Sequence, residues 1–327
     1  MSVSDPEALR LIARVLTLHF QEGLSQAEIA KGLKLSTAKV NRLIKQGREA
    51  NMVEFIIHSP FQRLFELERR MRERWPKTEF QVIDAVTGNT ETTLDLVGKA
   101  AASYLQALLE PGNIVAISGG KALSAVADNL NPALRKDCIV VPLTGGVQGQ
   151  HYTDVNHLAT RFADGLGGTA NLIHAPLHAD SQTERDLLMS VRAVNEVMDT
   201  ARSAQIALYG IGSVAGEDAT YYTAHPLSKE QRTKLYRDGV RAEFLGHLID
   251  GQGGLCDSKL NSRLVSLPLE ASAKIPNRIG VASGSDKVEP ICAALNGQHI
   301  SVLVVDDGTA QQVIEHETVP KPSSILT

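Results

Sequence analysis

Apolar residues recur at two different periods along this chain, and the change of period divides it. As far as Trp75 the repeat is helical; from Phe80 onward, continuous apolar runs alternate with helical ones. Leu9, Ile12, Leu16 and Phe20 mark a first helix, opened by Asp5-Pro6 as N-cap and first-turn proline and closed by Gly23. Leu24–Asn51 then reads as two short helices joined by a tight turn. Ser25 and Glu28 form an S-x-x-E capping box for the first, and Ser36 is the N-cap of the second. In the second helix Val40, Leu43, Ile44 and Gly47 make an i, i+3, i+4, i+7 stripe that must face inward. Its opposite face carries Thr37, Lys39, Asn41, Arg42, Lys45 and Arg48. Met52–Ile57 is a short β-type run, a candidate wing, and Pro60 breaks the chain.

Such a polar and basic helix face can bond to base edges or neutralise phosphates, and a helix fits the major groove. The pattern therefore predicts a winged helix-turn-helix. Ser25, Gln26, Ser36, Thr37, Lys39, Asn41, Arg42 and Lys45 are its expected contacts to double-stranded operator DNA. The alternative is a plain helical hairpin with a solvated charged face. Phe61–Trp75 follows as a charged helix with a narrow seam of Leu64, Leu67 and Met71. That seam either pairs with its twin in a dimer or docks on the chain's own body. The expected division is 1–58 for the DNA-binding head, 59–76 for a linker or oligomerisation helix, and 77–327 for the body.

Beyond Pro76, apolar runs at 80–86, 113–118, 138–144, 171–177, 205–212, 263–269, 278–284 and 301–306 read as strands. Helical patterns separate most of them, including 94–109, 121–130, 156–166, 182–200 and 229–237. Buried strands between helices mean an α/β fold with a Rossmann-like parallel sheet covered on both faces.

Composition adds three constraints. With 327 residues, 43% hydrophobic and 21% charged, the chain has room for two or three ordinary globular domains. No apolar run approaches the roughly 20 residues of a membrane span, and the N-terminus lacks a signal-peptide pattern. Cys138, Cys256 and Cys292 have no metal spacing, which fits a reducing cytoplasm and no membrane partner. Net charge is −4, but residues 1–75 hold 13 Lys and Arg against 9 Asp and Glu, and the remainder holds 20 against 28. A basic head on an acidic body suits a protein whose head alone meets DNA.

In parallel sheets ligands sit beyond the carboxyl ends of the strands. Here several strands end in glycine: Ser118-Gly119-Gly120-Lys121, Thr144-Gly145-Gly146, Gly210-Ile211-Gly212-Ser213 and Ser283-Gly284-Ser285. The first opens directly into a helix, so backbone N–H groups and Lys121 could hold a phosphate, or the segment is a plain strand-helix turn. Asp250, at a glycine-flanked turn, is a candidate for sugar hydroxyls or simply a turn residue. Lys287, opening the helix after Ser283-Gly284, would face an anion or solvent. Asp306-Asp307 would cap the last helix. His151, His157, His174 and His178 show no metal-ligand spacing, and no catalytic set or cofactor is expected.

The whole chain resembles the SorC family of sugar-binding transcriptional regulators, bacterial relatives of the DeoR-type repressors. The resemblance rests on LSQAEIAKGLKLS and KVNRLIKQ in the head, then PLTGGV, YGIGS, GHLIDGQGG, ASGSDKVEPICAAL and ISVLVVDDGTA in this order. It implies a helix-turn-helix head and a body folded like sugar-phosphate isomerases and glucosamine-6-phosphate deaminase. Such a body binds sugars, mostly phosphorylated, without turnover, and the oligomer is a dimer or tetramer. The alternatives are a sugar-phosphate isomerase or deaminase with an accessory DNA-binding head, or a DNA-binding adaptor that only oligomerises.

The sequence departs from the family pattern twice. Lys34 stands in the turn where the family has Gly; at positive φ it costs on the order of 1 kcal/mol. Lys121-Ala122 stands where the family has Arg then Thr, which keeps the charge but loses the bidentate fork and a hydroxyl. That departure admits a free sugar or polyol as effector beside a phosphorylated one.

Overall fold

A computed structural model describes residues 6–55, 58–147, 154–215, 221–222, 225–256 and 259–316. It divides into two compact units, Met1–Gln62 and Arg63–Thr327.

In the first unit, helix α1 (Pro6–Leu16) runs into a π-helical turn at Thr17–Gln21 and is followed by α2 (Gln26–Leu33) and α3 (Thr37–Glu49). The capping box at Ser25 and the Ser36 cap form as the sequence requires. Ile12, Val15 and Leu16 of α1, Ile29 and Ala30 of α2, and Val40, Leu43 and Ile44 of α3 make one buried cluster. A Cβ at Gly47 would lie 2.5 Å from Leu16 Cδ1, so only glycine lets α3 approach α1 this closely. Phe20 departs from expectation: it is 39% exposed and meets Phe55 edge-on. A π turn holds more residues than an α turn, and this rotates Phe20 off the inward stripe.

The wing is not found among the described residues. Met52–Phe55 has no strand pairing, and the first strand begins at Glu79; Ile56 and Ile57, like Asp5 and His151, lie outside the described residues. A short extended run with no neighbouring strand has no ladder partner for its backbone.

The second unit opens with α4 (Gln62–Arg74). Its seam does not await a twin. Leu64, Leu67, Met71 and Trp75 are buried in the same core as Phe80, Val302 and Val313. Arg74 donates to the carbonyls of Val313, Ile314 and His316 at 2.9–3.1 Å, and Trp75 Nε1 donates to Asn296 Oδ1 at 2.9 Å. Of the two alternatives for this seam, docking on the chain's own body is the one this single chain displays, and it buries the seam's apolar surface.

The body's sheet has seven strands in the order β1-β9-β8-β5-β2-β3-β4, every pair parallel. They are β1 (Glu79–Ile83), β2 (Asn113–Ile117), β3 (Cys138–Pro142), β4 (Thr169–Ala170), β5 (Ile206–Gly210), β8 (Asn277–Ala282) and β9 (Val302–Asp306). The intervening helices are α5 (Thr90–Leu108), α6 (Lys121–Asp128), α7 (Val155–Leu166), α8 (Gln182–Ser190), α9 (Arg192–Arg202), α10 (Lys229–Arg237), α11 (Leu269–Ser272), α12 (Val288–Asn296) and α13 (Asp307–Glu315). Strand β9 is buried at every position, as a strand covered on both faces must be.

Two expected strands are corrected. Residues 171–177 and 264–268 form no strand and pair only through single bridges (Gly146 with Pro176, His178 with Leu264, and Thr144 with Ser266), while Arg263 ends a 3-10 turn and Leu269 opens α11. Pro176 and Pro268 each lack the N–H a central ladder needs. An unexpected hairpin, β6 (Val240–Phe244) and β7 (His247–Asp250), forms a separate two-stranded sheet. Its turn places Leu245 at φ 55° and Gly246 at φ 80°, the two left-handed residues of a type I′ hairpin.

Lys34 ends α2 at φ 55° and ψ 42°, in the left-handed region. Lys34→Gly is expected to stabilise the head by about 1 kcal/mol. Hydrogen exchange of α2 and α3 amides in the full chain, compared with the parent, measures it; slower exchange in the variant is the expected outcome.

Candidate functional site

A parallel sheet sends all its strands out on one edge. From β2 the chain proceeds to β3 and β4 on one side, whereas β5, β8 and β9 fill the other side. The two halves part between β2 and β5, and the crevice of such a sheet opens at that point. The two segments that leave there are Ser118–Lys121 and Gly210–Ser213, both singled out from the sequence.

Their roles differ from the expected ones in detail. Ser118 is buried, and its Oγ accepts the Gly210 N–H at 2.9 Å while donating to Gly119 O at 3.2 Å. The hydroxyl therefore locks the two strand ends together and is not offered to a ligand. Gly120 caps α6 at φ 115°, a conformation that only glycine holds without strain. The first intrahelical bond of α6 runs from Ser124 N to Gly120 O. Among the described residues, the N–H groups of Gly119, Gly120, Lys121, Ala122 and Leu123 have no protein acceptor. Five such amides at a helix start, with the exposed Lys121 in the first turn, are an arrangement able to hold an anion.

The other glycines serve packing. Gly145 N donates to Val265 O and Gly146 N to Ala175 O. A Cβ at Gly145 would lie 2.3 Å from Pro176 O. Gly212 exchanges both backbone bonds with Glu243 at 2.9 Å. The amides of Gly145, Gly146, Gly210 and Gly212 are thus already bonded to protein groups and are not free donors for an effector.

Asp250 has a structural role. Its Oδ1 accepts N–H bonds from Gln252 at 2.8 Å and Gly254 at 2.9 Å, building the turn after β7. Asn296 Nδ2 donates to Gly251 O, and His299 Nε2 meets Gly253 O. That turn is tied to the segment entering β9, away from the strand ends that form the crevice.

Lys287 lies in the loop after β8, beside Asp286 at 3.3 Å, with its side chain 24% exposed. Its field reaches a residue that the sequence reading missed, Glu243. The Glu243 side chain packs against Gly212, where a Cβ would meet Oε2 at 2.1 Å, and it accepts the Gly246 N–H. Burial pushes its carboxyl above the ordinary range; the Gly246 bond and the Lys287 charge oppose that rise. A glutamate on a strand reads as solvent-facing. The signal that could have marked it is its place among buried Ala242, Phe244 and Leu245, three residues before a glycine.

On the head, Thr37, Asn41, Arg42, Lys45 and Arg48 are exposed along α3, with Lys39 and Gln26 half-buried. Ser25 and Ser36 use their hydroxyls in caps, with Ser25 Oγ also donating to Glu28 at 2.7 Å. Lys45 lies 3.7 Å from Glu49, an exposed pair of small net worth. Among the described residues Arg42 and Lys39 have no acidic partner.

Fold and site together define an effector-binding α/β domain joined to a three-helix DNA-binding head. A sugar-binding domain family, Sugar-bind, matches residues 59–315. The transcriptional regulator LsrR of Escherichia coli K12 is 32% identical over 310 residues, covering 93% of this chain and 94% of that protein. The full-length sorbitol operon regulator SorC of Klebsiella pneumoniae aligns with a TM-score of 0.73 at 27% identity, covering 94% of this chain and 99% of that one. A DeoR family regulator from Listeria monocytogenes shares the body fold, with a TM-score of 0.68 at 21% identity over 76% of this chain and 99% of that one. The chain belongs to the SorC family of sugar-binding transcriptional regulators. No helix among the described residues is long and apolar enough to cross a membrane.

A carboxyl with a raised folded-state pKa favours folding most below its ordinary value and loses that contribution as pH rises. Glu243→Gln keeps an acceptor for Gly246 and removes the charge. The variant is expected to melt higher than the parent at pH 8, with the difference shrinking toward pH 4.5, the ordinary value. Scanning calorimetry across that range measures it.

Proposed function

We propose that this protein controls a carbohydrate-catabolic operon by binding operator DNA through α3 and a sugar, polyol or sugar phosphate at the β2–β5 crevice. It acts in the cytoplasm as a homodimer or homotetramer and without chemical turnover. The observation that carries the effector reading is the run of unbonded amides from Gly119 to Leu123 at the switch point. The names of its relatives as transcriptional regulators support a role without catalysis. The α4 seam is buried within the chain, so oligomers form through other surfaces.

The geometry also supports a route from effector to head. Gly284, in the loop carrying Lys287, donates to Asp306 Oδ2 at 3.3 Å and Thr309 Oγ1 at 2.8 Å. The next residue, Asp307, bonds Arg63 in the first turn of α4, which follows the head directly in the chain. Arg63 and the Ala85 N–H hold the Asp307 carboxyl below its usual range against the opposing effect of burial. A sugar that draws on Lys287 pulls on this loop and biases the Arg63 contact.

Two outcomes test the proposal. Arg42→Ala should weaken operator binding at least tenfold, with a shallower salt dependence if the contact is to phosphate, while the fold stays intact. Unchanged gel-shift affinity for both Arg42→Ala and Lys45→Ala would falsify the DNA-reading role of α3. Arg63→Ala should keep operator affinity and sugar binding yet lose most of the sugar's effect on operator affinity; a full response in this variant rules out the route.

A further inference from the structure

Beside Glu243 stands a cluster of polar side chains that the described residues leave unsatisfied. Among the described residues, His178 has no partner for either of its buried ring nitrogens, and Tyr221, only 4% exposed, has none for its buried hydroxyl. The neighbouring buried Tyr222 shows the usual solution, donating to Val214 O at 2.7 Å. The His178 ring lies 4.5 Å from that of His225 and 6.1 Å from that of Tyr221. Folding strips water from such groups, so each forfeits a hydrogen bond unless something else supplies it.

The cluster adjoins the crevice. Leu177, next to His178, donates to Gly146 O, and Val265 donates to Leu177 O. Leu177 and Leu264 both press on Gly246, the turn residue bonded to Glu243. Arg263, which donates to Asp180 O, bears electrostatically on both His178 and Tyr221. Burial, then His225 and Arg263, hold the His178 imidazole down to about 4, so at neutral pH one nitrogen donates and the other accepts.

Neutral imidazole and phenol each donate and accept, as does a sugar hydroxyl. A phosphate only accepts, and the amides after Ser118 already suit it. We propose that His178 and Tyr221 form a hydroxyl-recognising subsite that binds the polyhydroxylated end of the effector. This rests on the effector reading above and assigns the two ends of the ligand to two walls.

The test is thermal melting of the full chain and of Tyr221→Phe and His178→Phe. The probes are free pentoses, hexoses, pentitols and hexitols, their phosphate esters, and inorganic phosphate. Without sugar, Tyr221→Phe should melt no lower than the parent, because its hydroxyl has no partner to lose. A sugar that raises the parent's melting temperature should need about tenfold higher concentration in either variant. Any shift caused by inorganic phosphate should be the same in all three proteins. Equal sugar response in parent and both variants overturns the subsite and leaves the effector reading standing. A lower melting temperature of Tyr221→Phe without sugar also overturns it, since the hydroxyl then has a structural partner. If no probe moves the parent, the effector reading falls and the subsite with it.

Discussion

Seven parallel strands must all leave the sheet on one edge, and that constraint governs the rest of the body. Loops that are remote in sequence are forced into contact there, and something must hold them at fixed separation. The bond from Gly210 N to Ser118 Oγ does so where the two halves of the sheet diverge. It closes the base of the crevice and fixes the start of α6. Among the described residues the amides of Gly119 to Leu123 are left without acceptors, as the first amides of a helix are, beside the Ser118 that ties this turn to the facing strand. One buried hydroxyl thereby separates the backbone groups used for the fold from those free for a ligand.

The glycines at the strand ends illustrate why sequence alone cannot tell a packing glycine from one that serves a ligand. Glycine permits close approach of any backbone, whether to a phosphate or to another chain segment. At Gly145 and Gly212 the approaching group is protein, Pro176 O in one case and the Glu243 side chain in the other. At Gly120 it is the positive φ that demands glycine, and there the adjoining amides remain unbonded. Composition cannot separate these uses; the partner of each amide can.

Periodicity made the helices legible because a helix is local: the α3 stripe and both serine caps followed from spacing and capping chemistry, whereas the left-handed Lys34 was signalled only by the family resemblance, which puts Gly there. The glycine-ended strands β2, β3, β5 and β8 were legible too, being short, apolar and closed by turns. What failed was non-local. Residues 171–177 and 263–269 are apolar in sequence yet pair only through isolated bridges, and apolarity alone cannot tell such a segment from a strand. The β6–β7 hairpin was hidden because Leu245-Gly246 lacks the Asn-Gly or Asp-Gly signature of its turn. Glu243 was hidden with it, since its importance comes from Gly212 and Lys287, both far away in sequence.

The same reasoning bears on the Lys121-Ala122 departure from the family pattern. An anion held by backbone amides at a helix start depends on the turn that aims them, and Gly120 and Ser118 set that turn. Neither residue 121 nor residue 122 contributes to it through its side chain. Lys in place of Arg keeps one positive charge near the cradle while giving up a fixed two-point grip. Loss of a hydroxyl at 122 removes one donor from a set in which backbone donors predominate. If the crevice holds the effector as proposed, the departure weakens selectivity for phosphate geometry more than it weakens the capacity to hold an anion, and the choice among sugars passes to the side chains that meet its hydroxyls.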